Sequence, residues 1–206
     1  MTSNIIGRLK NFPVWFARCR HCRGFGVQSP WAYAFIRYVI GEKWPYYAYK
    51  RLDKHSQELS WKEKKQYRLF FRIANYCRSA CIMDFSACND ICGMYIKAGS
   101  VNSKMMKIMP DKTPEEYAEA IDKAGTPGFV LMSFTGNWRS FFKELAAHAD
   151  NKTLAVVTGI NRDCNSRRCW KEIVSSKKSI ITFDLYYCGI VFFDKKRYKQ
   201  HYIVNF

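Results

Sequence analysis

Two strand-type runs at the end of the chain limit the fold more than any other feature. Residues 179–193 read Ser-Ile-Ile-Thr-Phe-Asp-Leu-Tyr-Tyr-Cys-Gly-Ile-Val-Phe-Phe. β-Branched and aromatic side chains dominate them, as on a pleated, half-buried surface. A break at Cys188-Gly189 makes the pair an antiparallel hairpin. Upstream, short apolar runs alternate with helical patterns, which implies a parallel sheet whose strands are joined by crossover helices. The expectation is an α/β fold with six strands, give or take one, and the hairpin at one edge.

The elements can be placed by their punctuation. Ser29-Pro30 supplies an N-cap and a first-turn proline for a helix over residues 31–40 that stops at Gly41. Ser60 with Glu63 forms a capping box for a helix over 61–76, with Leu69, Ile73 and Tyr76 on one face. From Ala80 the pattern changes. Strands are expected over 81–85, 105–109, 128–134 and 154–157, with helices over 91–98, 114–123 (capped by Thr113), 138–148 and 164–174. Residues 201–206 add an edge segment. The division is a basic helical extension, residues 1–79, and an α/β domain, residues 80–206.

Charge separates the two parts. Residues 1–80 hold 16 Lys/Arg against 4 acids, a net of +12 out of the whole chain's +17. Such a surface suits nucleic acid or an acidic protein, though a solvated helical face carries the same signature. Trp31, Tyr33, Phe35, Trp44, Tyr46 and Tyr47 exceed what a short helical segment needs for its own core, so they are expected to pack on the sheet. No apolar run reaches membrane-spanning length and no secretory leader stands at Met1, and nine cysteines without scaffold spacing suit a reducing cytoplasm.

Few motifs carry chemistry. Cys19-x-x-Cys22, with His21 between, lacks the second ligand pair that a structural zinc site needs, so no metal is expected. No His pair has metalloprotease spacing, and no His stands beside a nucleophile. The loop after the first α/β strand, Asp84-Phe85-Ser86-Ala87-Cys88-Asn89-Asp90, has no glycine. Glycine there would let a phosphate approach the backbone, and Asp90 at the helix N-terminus repels one.

Several of these segments resemble a bacterial group of class I S-adenosylmethionine-dependent methyltransferases. Gly24-Phe25-Gly26-Val27-Gln28-Ser29-Pro30 is similar to its Gly-x-Gly-Val-x-Ser-Pro signature, and Pro45 to Tyr49 to a Pro-Tyr-Tyr-Ala-Tyr patch. The hairpin run and Lys199-Gln200-His201-Tyr202 match its ending. The resemblance implies a Rossmann-like, seven-stranded methyltransferase sheet with one antiparallel strand. It also implies a cofactor site at Asp84, Ser86, Asp90, Asp111 and Ser133, with Asp84 and Asp111 keeping the family's acids.

The rest of that site departs from the family. Ser86 and Asp90 stand where glycines belong. The stretch between the helix ending near Lys123 and the strand at Gly128 leaves no room for the family's third strand. Met132-Ser133-Phe134-Thr135-Gly136-Asn137 lacks the family's Asp, and Thr158-Gly159-Ile160-Asn161 replaces an Asp-Asp-x-His element. Loss falls where ligand and chemistry would sit, while strand and helix faces remain. The expectation is therefore a methyltransferase-like pseudoenzyme, a binding or scaffold module with S-adenosylmethionine bound weakly or not at all. An active methyltransferase with a remodelled pocket is the alternative, and a nucleic-acid-binding module a weaker one. The methyl acceptor or partner is not legible.

Overall fold

The computed structural model describes Arg18, Gly24 and residues 26–206. The Cys19/His21/Cys22 motif lies outside the described residues. In chain order the elements are α1 (Pro30–Phe35), continued by a π-helical stretch (Ile36–Ile40), then α2 (Tyr47–Lys54) and α3 (Trp61–Cys77). There follow β1 (Cys81–Phe85), α4 (Asp90–Gly99), β2 (Lys104–Lys107), α5 (Pro114–Ala124), β3 (Phe129–Met132) and α6 (Trp138–His148). The chain continues through β4 (Leu154–Thr158), α7 (Cys164–Ser175), β5 (Ile181–Asp184), β6 (Cys188–Phe192) and β7 (Gln200–Ile203). Among the described residues no helix is long and apolar enough to cross a membrane.

The caps explain where the helices start. Ser29 accepts from the Ala32 amide with Pro30 in the first turn, and both Ser60/Glu63 and Thr113/Glu116 close full capping boxes. Each box satisfies two amides that a helix start otherwise leaves unpaired.

The seven strands run in the order β2-β1-β3-β4-β6-β5-β7. Every pairing is parallel except the two made by β6, which is antiparallel to β4 and to β5. This is the expected mostly parallel α/β sheet with one reversed strand. The expected edge segment supplies the seventh strand. β2 stands at the edge with no described strand beyond it, and β7 supplies the opposite edge, so the hairpin lies one strand in.

Strand alternation divides the core into two layers. Ile82, Phe129, Leu131, Leu154 and Val156 face one side, where α1, the π-helical stretch, α3 and α4 bring Phe35, Ile36, Leu69, Ile73 and Ile96. Met83, Phe85, Val130, Met132 and Val157 face the other, against Tyr117, Phe141, Leu145 and Trp170 of α5, α6 and α7. α2 packs in a separate cluster with Phe71 and Tyr95, while α1, the π-helical stretch and α3 share the core of the sheet. Burying one large apolar side chain contributes about 1.5–3 kcal/mol, so this layer binds them firmly.

Three expectations need correction. The hairpin turns at Leu185, Tyr186 and Tyr187, not at Cys188-Gly189, which lie inside β6. Gly189 is needed in the strand, because a Cβ there would meet Trp170 ring carbons at 2.3–2.7 Å. The aromatics do not all pack on the sheet: Phe35 is buried and Trp31 packs against its cluster, but Tyr33, Trp44 and Tyr47 are exposed. The buried residues of α2 are Ala48, Tyr49 and Leu52, which leaves Tyr47 outside. Tyr76, expected on the buried face of α3 with Leu69 and Ile73, is exposed and meets Phe35 edge-on at 5.2 Å.

Candidate functional site

In an open α/β sheet, ligands bind beyond the carboxyl ends of the strands, and parallel register brings the candidate residues there together. Asp84 of β1 pairs in register with Lys107 of β2 and with Leu131 of β3. Ser86, Asp111 and Ser133 therefore follow the ends of three neighbouring strands, and Asp90 opens α4. All five residues sit on the same rim.

Asp84 is almost wholly buried, at 1% exposure. One carboxylate oxygen accepts from the Ser86 amide at 2.9 Å and the Ser86 hydroxyl at 2.7 Å, and the other from the Cys88 amide at 3.2 Å. The carboxylate holds its own loop in shape. Asn89 then caps α4 by accepting from the Cys92 amide at 2.8 Å, and Asp90 sits exposed in the first turn. Burial raises the Cys92 thiol pKa, but the hydrogen bond with Cys88 raises it more, so this thiol stays protonated at neutral pH.

Ala87 takes φ +50° in that loop. This is the left-handed region glycine enters freely, and it costs an L-residue roughly 1–2 kcal/mol. The loop thus keeps a glycine-type backbone without the glycine. Ala87→Gly is expected to relieve more than the ~0.5–1 kcal/mol of extra backbone entropy that glycine loses. The net gain, about 0.5–1 kcal/mol, corresponds to a melting point about 1–4 °C higher for a chain of this size. An unchanged or lower melting temperature would contradict it.

On the other side of β1 the loops after β2 and β3 are joined. The Pro110 carbonyl accepts from the Asn137 amide at 2.8 Å and from the Tyr117 hydroxyl at 2.7 Å, and the Asn137 side-chain amide donates to the Lys112 carbonyl at 3.3 Å. Asp111 is exposed, and its Oδ1 stands 2.9 Å from where a Cβ on Gly136 would lie. Ser133 shares a 3.0 Å hydrogen bond with Thr135 in the same loop. Because β1 lies between β2 and β3, these bonds span its end. Beneath them Phe85 stacks on Phe141 with ring centroids 4.3 Å apart, and Tyr117 packs edge-on against both.

The sequence matches no protein-family model and no curated protein. Solved structures do resemble it. The MycE methyltransferase of the mycinamycin biosynthetic pathway, in complex with Mg, SAH and mycinamycin VI, superposes with a TM-score of 0.52 at 11% identity, over 70% of this chain and 53% of that one. The chain shares the methyltransferase fold. Cofactor-bound Rv0187 from MTB superposes with a TM-score of 0.50 at 8% identity, over 79% of this chain and 94% of that one. The chain spans about half the length of the MycE chains it matches.

Sequence reasoning missed a second buried carboxylate. Asp184, at the end of β5, is fully buried and accepts from Arg18 at 2.5 Å, Arg167 at 2.5 Å, the Trp170 indole at 3.2 Å and the Tyr186 amide at 2.9 Å. Arg18 also donates to the carbonyls of Asp184 and Val204, which ties this residue to the sheet. The signal was present, since a carboxylate within an apolar strand run must find partners. Among the described residues no group of three or more His, Cys, Asp or Glu side chains is placed to hold a metal ion.

Proposed function

We propose that this chain is a methyltransferase-fold protein whose S-adenosylmethionine site is degenerate, and that it acts as a binding or scaffold module. The observation that carries this reading is the commitment of Asp84. Its carboxylate already accepts three hydrogen bonds from residues 86 and 88 and is 1% exposed, so a ligand could reach it only by opening the loop. The joined loops over β1 and the unfavourable charge of Asp90 support the same reading. The residues present do not fit the cofactor well.

Each lost buried hydrogen-bonded contact costs roughly 1–3 kcal/mol, and each 1.4 kcal/mol is about tenfold in affinity. Two or three such losses weaken a micromolar ligand to about millimolar. Titration calorimetry of the purified protein with S-adenosylmethionine is expected to show a dissociation constant near or above about 1 mM. A value at or below about 10 μM, abolished in Asp111→Ala, would instead restore the active methyltransferase. That alternative rests on two observations: Ala87 keeps a glycine-type backbone, and Asp111 remains exposed at the end of β2.

A further inference from the structure

A cavity of about 1130 Å³, lined by none of the five candidate residues, lies between the π-helical stretch, the connection to α2, α2 itself, α3 from Trp61 to Arg72 and residues 204–206. Its walls carry seven cationic side chains and two carboxylates. Both carboxylates are already engaged. Asp53 accepts from Arg68 at 2.6 Å and from Tyr95 at 2.9 Å, while Glu42 accepts from the amides of Lys43 and Trp44 at 2.8 and 3.0 Å. Among the described residues no carboxylate pairs with Lys43, Lys64 or Lys65.

Arg72 stands in the wall at 7% exposure, held by the carbonyls of Val39 and Ile40 at 2.7 and 2.9 Å. A buried cation with no carboxylate partner among the described residues leaves a positive potential in the recess. Lys65 registers it. The residue is exposed, but its ammonium lies over the rings of Phe206 and Trp61, 4.5 and 5.9 Å from their centroids, which shed part of its water. That desolvation, followed by the charges of Arg72 and Lys43, lowers its pKa.

The same rim exposes aromatic rings that the fold would otherwise bury. Trp44 is 72% exposed and Tyr47 91% exposed, with Tyr38 and Trp61 beside them. Flat rings beside unneutralised cations match the two halves of a nucleotide, a base that stacks and a phosphate that pairs with charge. A lipid surface is a poorer match. The site is a recess rather than an open amphipathic face that could lie on a bilayer.

We propose that this cavity binds a nucleotide unit, with phosphate on Lys43, Lys64 and Lys65 and the base stacked on Trp44. The unit is either free or part of a single strand. The proposal is independent of the crevice over β1, so the outcome of the S-adenosylmethionine titration leaves it standing.

The test uses the full chain and fluorescence anisotropy with a labelled 12-mer of single-stranded poly(U), competed by unlabelled UMP, by ATP and by inorganic phosphate. Trp44→Ala is expected to weaken binding about tenfold or more, and Trp44→Phe to retain most of it, because any aromatic face stacks. Lys43→Ala and Lys64→Ala are each expected to lower the salt slope by about 1. Both substitutions are on the cavity wall and outside the core, and an unchanged melting temperature verifies the fold. Competition by UMP or ATP at concentrations comparable to the oligomer marks a free nucleotide as the ligand. Competition only by oligomer marks a strand. Three results would overturn the proposal: no binding of the labelled 12-mer below about 100 μM at low salt, wild-type affinity in Trp44→Ala, or inorganic phosphate competing as well as UMP and ATP.

Discussion

Asp184→Ala is expected to destabilise the protein by about 3–5 kcal/mol, the range for removing one partner of a buried ion pair. Arg18, Arg167 and the Trp170 indole all donate to this one carboxylate. Truncation leaves the Trp170 indole and the largely buried Arg18 without this acceptor, while Arg167, 33% exposed, can turn to water. It also removes the acceptor for the Tyr186 amide, which holds the hairpin turn where Tyr186 sits at φ +73°. Urea unfolding should show a lower midpoint with an unchanged slope. A loss below about 1 kcal/mol would put the pair in the range of exposed ion pairs and sink this account.

The same carboxylate gives a pH signature. Burial alone would raise its pKa, but the hydrogen bonds and charges of Arg18 and Arg167 outweigh burial and hold it below the ordinary carboxylate value. A group with a depressed folded pKa contributes stability that is complete above its unfolded value, about 3.9 for Asp. That stability is lost as pH falls through the folded pKa. The stability gap between the native chain and Asp184→Ala should therefore stay constant near neutrality and narrow below about pH 4. A gap that widened in acid would reverse the sign.

Local features of the fold were legible because their causes are local. Ser29-Pro30, Ser60 with Glu63 and Thr113 with Glu116 place helix starts within a few residues, and the alternation along β1, β3 and β4 gives the two buried faces of the sheet. The hairpin turn was misplaced because glycine is the ordinary turn residue. Here Tyr186 takes the left-handed position, held by Asp184, and Gly189 serves a packing contact instead. The candidate residues were legible as strand ends, but their partners were not. Pro110 meets Asn137 across an intervening strand, and Arg18 meets Asp184 across 166 residues. Contacts of that separation leave no periodicity. The exposure of Trp44 and Tyr47 was equally hidden, since composition counts aromatics without saying which way a helix turns.

Gly189→Ala is the sharpest test of how the sheet is packed, because one methyl group separates it from the native chain. The added carbon would meet three ring atoms of Trp170 at 2.3, 2.5 and 2.7 Å, inside the closest approach of real Cβ atoms. Relief requires the indole or the strand to move. The indole is 1% exposed and its nitrogen donates to Asp184, while β6 is paired on both sides, to β4 and to β5. Overpacking in a core typically costs 1–3 kcal/mol and occasionally more, and a pinned ring between paired strands puts this site at about 3 kcal/mol. For a chain of this length that lowers the melting temperature by roughly 6–12 °C. Trp170→Phe opens the space but removes a donor to Asp184, so it should destabilise the native chain while cancelling much of the harm of Gly189→Ala. The double variant should then lie clearly above the sum of the single losses, as for residues in direct contact. Additive losses would mean that the contact between ring and strand does not explain the glycine.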